Sequence, residues 1–219
     1  MSPLILNFHG VGPVTREIDA GEFNCWLDQG FFETVLNLVR GQSHIQLTFD
    51  DGNVSDLELA LPALQKRGLK ATFFICSGRL DQSTFLKPNQ VIELQIAGME
   101  IGSHGINHVP WRRTTADELH KELAQSKETL EHVCGKSIQS AACPFGSYDR
   151  RVLSGLRQAG YQKVFTSDGG TASPRQWLQA RTTITRSMSL DAIRKLVQKG
   201  PGLRTQMLIN ARKFIKRLR

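Results

Sequence analysis

An α/β barrel of about seven parallel strands is the fold class the sequence predicts, and three observations predict it. Short apolar runs alternate with segments of helical periodicity along the chain. The helical segments close on glycines, as helix C-termini do. The residues just past the apolar runs are repeatedly polar: His9, Asp50, Asp51, His104 and Asp168. In a closed barrel the strand ends share one rim, and active sites form there.

The first run, PLILNF, ends at His9, and the second, IQLTF, ends at Asp50. KATFFIC then leads to Ser77, GMEIGS to His104, SIQSAAC to Pro144 and YQKVFTS to Asp168, with RTTITRS following as the last strand. Their length and their β-branched or aromatic content mark them as strands. Helical spacing occupies Leu57–Arg67, Asn89–Ala97, Thr115–Cys134 and Arg150–Ala159, closed by Gly68, Gly98, Gly135 and Gly160. An open doubly wound sheet is the alternative, but its glycine-rich first turn is missing, because FHGVGPV does not match G-x-G-x-x-G.

With 219 residues, 40% hydrophobic and 22% charged, the chain fits one globular core and has no disordered character. The apolar run in MSPLILNFHG is too short for a signal-peptide core or a membrane span, which predicts a cytoplasmic protein. Four cysteines occur without a C-x-x-C pair, so neither a disulfide framework nor a zinc knuckle is expected. The net charge of +8 lies entirely in residues 191–219, which hold nine Lys/Arg and one acid. A neutral first 190 residues argues against a nucleic-acid partner, which would favour a basic stripe across the fold. The chain therefore divides into a barrel over 1–190 and a basic helical tail over 191–219.

Asp50 and Asp51 stand side by side where repulsion alone would discourage them. His104 and His108 are spaced so that two imidazoles can reach one ion, and an acid can complete the set. Two histidines and one aspartate make an open catalytic metal site, and it needs only one of the two carboxylates. The other can take a proton from the attacking water. Adjacent strand residues point to opposite faces, so both can serve one site only where the strand ends, and Gly52 lets the chain turn there. Taken singly, Asp-Asp-Gly is a common turn and H-x-x-x-H a weak signal; together they supply a complete ligand set.

TFDDG (Thr48 to Gly52), SHGINH (Ser103 to His108) and CPFGSYD (Cys143 to Asp149) resemble, in order and separation, the first three motifs of the polysaccharide deacetylases. This is the NodB-homology or carbohydrate esterase family 4 group, and the resemblance spans roughly Leu4 to Ser187. It implies a distorted, TIM-like (β/α) barrel and metal-dependent hydrolysis of the acetamide of an N-acetylated sugar during glycan assembly. By the same resemblance Asp50 is the general base, and Asp51, His104 and His108 bind zinc or another divalent transition metal. Phe145 would offer its backbone N–H to the oxyanion, while Tyr148 and, in a fourth motif, Asp168 would contact the saccharide.

The sequence departs from the family pattern in four places. No histidine follows His132, so the family's C-terminal Leu-x-His, the source of its general acid, is missing. His9, at the end of the first strand and beside the last one in a closed barrel, is the expected substitute; otherwise it only caps the strand. Ala142 stands where an arginine usually orients the base, and Arg186, with Arg181 as second choice, is expected to reach Asp50 from the final strand. Gly105 replaces a usual Ser or Thr, leaving His108 less supported. Gly169 follows Asp168 where a tryptophan is frequent.

In the tail, RTQMLINARKFIKRLR sets Met207, Leu208, Phe214, Ile215 and Leu218 near one helical stripe, with Arg212, Lys213, Lys216, Arg217 and Arg219 around it. Such a helix either lies on an anionic membrane or, more commonly, packs its stripe on the barrel. Membrane contact would place the protein at the inner membrane face and suit a lipid-linked or nucleotide-linked saccharide. Two rivals stand beside this reading: a hydrolase of another amide, such as a formamide or cyclic imide, and a catalytically impaired sugar-binding relative.

Overall fold

The computed structural model describes residues 3–18, 20–173 and 175–218. Its strand segments are β1 (Leu4–Phe8), β2 (Ile45–Asp51), β3 (Ala71–Ile75), β4 (Glu100–Ser103), β5 (Ser140–Ala142), β6 (Lys163–Thr166), β7 (Leu178–Ala180) and β8 (Thr182–Thr183). They form one parallel sheet in the order β7-β6-β5-β4-β3-β2-β1-β8. Its two edge segments are separated in sequence by Arg181 alone. β7 pairs with β6, Val164 opposite Leu178, whereas β8 pairs with β1, Asn7 opposite Thr183. One split strand therefore spans both edges and closes a barrel of seven strands, the Arg181 N–H donating to Thr166 O at 2.9 Å and the Ile184 N–H to Asn7 O at 2.9 Å. Sequence reading placed this last strand over RTTITRS; its pairing instead begins at Leu178 and ends at Thr183, beyond which the Met188 N–H turns back to Thr185 O at 3.1 Å.

The helices are α1 (Ala20–Cys25), α2 (Gln29–Val39), α3 (Leu61–Gln65), α4 (Pro88–Ile96), α5 (Ala116–Cys134), α6 (Arg150–Gln158), α7 (Leu190–Lys199) and α8 (Leu203–Leu218). Side-chain caps fix several N-termini: Asp28 accepts from Phe31 N–H, Asp149 from Val152 N–H, Ser189 from Ala192 N–H, and Thr115 with Glu118 forms a capping box. The helix expected over Leu57–Arg67 is divided, a π-helical turn at Asp56–Ala60 preceding α3. Such turns frequently mark functional sites, and this one follows Asp50 and Asp51 directly.

Strand alternation separates two layers. Phe8, Phe49 and Phe73 are in register on β1, β2 and β3 and stack at 5.2 and 4.7 Å, and Phe8 and Phe49 meet Phe32 of α2 edge to face. They belong to the large core between the sheet and its helices. One step out of phase, Asn7, Thr48 and Asp50 share a second face, above an apolar plug of Ile5, Phe74, Ala142, Phe165 and Ala172. Polar groups buried on that face have no water to bond and must satisfy one another. α7 adds Ile193 and Val197 to the main core, while among the described residues of α8 only Ile209 is buried. No described helix is long and apolar enough to cross a membrane.

Candidate active site

The strand ends gather around a cleft of about 550 Å³ lined by His9, Asp50, Asp51, His104, His108 and Phe145, with Arg79, Thr183 and Thr185 on its walls. Asp51 reaches it because its backbone takes the left-handed conformation, φ 82°, followed by Gly52 at φ 76°. That twist turns a side chain which strand alternation would aim away toward the same side as Asp50. His108 (φ 54°) and Phe145 (φ 57°) are held the same way, so three of the four described non-glycine residues with positive φ line one cleft. Each such residue costs on the order of 1 kcal/mol or more, and strain of this kind concentrates at functional sites.

Asp51, His104 and His108 each offer a ligand atom, and these atoms lie within 4.8 Å of one another. His108 Nε2 is 3.2 Å and His104 Nε2 3.7 Å from Asp51 Oδ1, a buried oxygen without a hydrogen-bond partner among the described residues. The His104 ring is oriented by Nδ1, 2.8 Å from Ala142 O. A carbonyl can only accept, so Nδ1 carries the proton and Nε2 presents its lone pair to the site. Burial pushes the His104 imidazole down to about 4, and burial likewise lowers His108, leaving both neutral as metal ligation requires. The donor set and its orphaned oxygen fit a divalent cation.

Asp50 sits beside this triad with a different set of partners. Burial, the largest influence, drives its carboxyl up, but the Arg181 guanidinium and, after it, His104 and His9 together outweigh burial and hold the group below the ordinary carboxylate range. Arg181 is fully buried and forms a fork on Asp50, Nη1 to Oδ1 at 2.6 Å and Nη2 to Oδ2 at 2.8 Å. Nη1 also donates to Asn7 Oδ1 at 2.8 Å; Asn7 Nδ2 in turn donates to Asp50 Oδ2 at 2.9 Å, and Thr48 Oγ1 to Asn7 Oδ1 at 2.7 Å. Arg186, the first choice for this position, is elsewhere. Its guanidinium lies 4.0 Å from the Phe23 ring centre and its N–H donates to Asn24 O. The reason is the strand boundary: Arg181 is at the junction of β7 and β8, whereas Arg186 is past the last paired residue.

His9 follows β1 directly and stands between the last strand and β2, as the closed barrel requires. Its Nε2 is 3.9 Å from Asp50 Oδ2. Phe145 is 64% exposed at the rim with its ring 4.4 Å from that of His108. Tyr148 and Asp168 do not line the cleft. Tyr148 is fully buried and donates its hydroxyl to Asp168 Oδ2 at 2.7 Å; Thr166 Oγ1 donates to the same oxygen at 2.8 Å, and Lys216 of α8 reaches Oδ1 at 2.5 Å. Burial, followed by Asp168, pushes the Tyr148 phenol up. These two residues bond to each other and brace the rim beside the cleft.

Sequence reading missed the support for the His104–His108 loop. Glu122 of α5 is buried and accepts from Ile106 N–H at 2.8 Å, Asn107 N–H at 3.2 Å and Asn107 Nδ2 at 3.0 Å. It also explains Gly105: a Cβ there would lie 2.5 Å from Glu122 Oε2, at φ 80°. Its spacing on the buried stripe of α5 was the available signal, but a glutamate there reads as solvent-facing. Glu122→Gln turns one acceptor into a donor facing donors, and is expected to weaken any divalent-cation binding at this triad about 10–100-fold, measured by competition with a chromophoric chelator. Asp56 was also missed: burial, then Asp51 and Asp50, push its carboxyl well above the ordinary range.

The family model described as polysaccharide deacetylase matches residues 39–164, more than half of the chain. The chain belongs to the polysaccharide deacetylase family. YxkH of Bacillus subtilis, which carries the family's name, is 30% identical over 147 residues, 66% of this chain and 53% of its own. The chitooligosaccharide deacetylase of Azorhizobium caulinodans is 27% identical over 142 residues, 64% of each chain. The chain thus spans between half and two thirds of the length of these two relatives. The fold of this deacetylase-family barrel is similar to that of Streptococcus pyogenes deacetylase PplD, solved in complex with acetate, with TM-score 0.78 at 21% identity over 92% of this chain and 99% of that one. The matched segment contains Asp50, Asp51, His104 and His108; His9 and Arg181 lie outside it.

Proposed function

We propose that the protein is a metal-dependent N-deacetylase that hydrolyses the acetamide of an N-acetylated saccharide. The observation that carries this reading is the convergence of Asp51, His104 and His108 beside an Asp50 that is clamped separately by Arg181. Asp51 Oδ1, His104 Nε2 and His108 Nε2 would hold the cation. When bound, zinc or a similar divalent ion supplies a Lewis acid that acidifies water and polarises the amide carbonyl.

Asp50 accepts the proton of the attacking water. The Arg181 fork keeps it ionised and fixes its direction; the strong ion pair lowers its basicity, so its contribution is positioning more than proton affinity. The Phe145 N–H, on its left-handed backbone, is the candidate donor to the oxyanion that develops as the new C–O bond forms. His9 Nε2, within reach of Asp50, gives a proton to the nitrogen as the C–N bond breaks, and acetate and free amine leave. Family membership and the chitooligosaccharide activity named for one relative support the substrate class. The Arg181 clamp also weighs against an impaired sugar-binding relative, since it restores the cation that Ala142 lacks.

The test is acetate release from a panel of N-acetylated saccharides before and after chelation. Release that requires zinc, cobalt or another divalent ion and returns on adding it back is expected. Equal release from the chelated protein, or none from any N-acetylated saccharide, would refute the proposal.

A further inference from the structure

α8 is mounted with its polar stripe inward. Gln206, Ile209, Lys213 and Lys216, spaced for one helical face, are its residues withdrawn from solvent. Gln206 Oε1 accepts from Thr171 N–H at 3.1 Å, and Lys216 Nζ donates to Gly146 O at 3.1 Å as well as to Asp168. The opposite face carries Leu203, Met207, Leu208, Phe214, Ile215 and Leu218, all between 48% and 83% exposed. A helix of a globular domain buries such a stripe. The expectation that it packs on the barrel is therefore overturned, because the barrel takes the polar side.

We infer that this outward face of α8 docks on an anionic lipid bilayer, side chains such as Met207 and Phe214 entering the headgroup boundary. Charge complementarity selects that occupant. α8 contains no Asp or Glu, Arg204, Arg212 and Arg217 lie exposed on it, and the net charge of +8 resides in residues 191–219; Arg219 lies outside the described residues. A second copy of the chain would set these cations against their like, whereas anionic headgroups neutralise them. A cationic helix with an apolar face is the usual form of an interfacial anchor.

The full chain can be tested by sedimentation with phosphatidylcholine vesicles, with and without about one third phosphatidylglycerol. Co-sedimentation with the anionic vesicles alone is expected, falling about tenfold in M207D/F214D and in L208S/I215S. Both pairs are exposed, so thermal midpoints equal to wild type will show that the variants fold. A wild-type chain that stays in the supernatant with anionic vesicles would overturn the inference. Binding of both vesicle types alike, or undiminished binding of both folded variants, would do the same. A wild-type dimer that the variants convert to a monomer, without vesicle binding, would assign the face to self-association instead.

Discussion

Arg181→Met is expected to lower stability by about 3–5 kcal/mol, the usual result of removing one partner of a buried ion pair. Arg181 is fully buried and Asp50 nearly so, and four hydrogen bonds tie the guanidinium to Asp50, Asn7 and Thr48. Without it an ionised carboxylate stays buried with the Asn7 amide as its hydrogen-bond donor and the His9 and His104 rings at 3.9 and 3.8 Å. Turnover should fall with stability, by about 10²-fold or more in the fraction that folds, since Asp50 loses orientation. Metal stoichiometry should hold, because no metal-site donor touches Arg181. Arg181→Lys should recover only part of the loss, an ammonium being unable to form the fork. The double variant Asp50→Asn with Arg181→Met should be more stable than Arg181→Met alone, because no orphaned charge remains. Thermal unfolding and acetate release check both; a wild-type Arg181→Met would remove the clamp from the mechanism.

Asp50→Asn should have the largest effect on turnover, a loss of about 10²–10⁴-fold in kcat, the range general-base catalysis contributes. An amide cannot take the proton of the attacking water, and its NH₂ also opposes the Arg181 guanidinium. Zinc content should stay near wild type, since Asp51, His104 and His108 are untouched. Asp51→Asn should give the contrasting pattern of lost metal and lost turnover together. Elemental analysis beside steady-state kinetics separates the two carboxylates. Loss of zinc in Asp50→Asn with retention in Asp51→Asn would exchange their proposed roles.

Much of this protein is legible in the sequence because the deciding signals are local. The βα rhythm, the C-terminal glycines and the capping residues follow from backbone geometry within one or two turns, and the candidate metal ligands lie in two short motifs at strand ends. The left-handed φ of Asp51 is a local solution as well, set by Gly52 and the end of β2. What the sequence could not determine is set by contacts between distant segments. Whether Arg181 or Arg186 reaches Asp50 depends on where β7 gives way to β8, which follows from pairing with β6 and β1 and not from the composition of RTTITRS. Tyr148 and Asp168 bond to each other, and Lys216 of α8 joins Asp168 across 48 residues, contacts that no local motif announces. The stripe on α8 is visible in the sequence, but its direction is not, since an amphipathic helix is equally consistent with either face inward. Only the polar partners that the barrel offers, Asp168, Gly146 O and Thr171 N–H, decided that the apolar face looks outward.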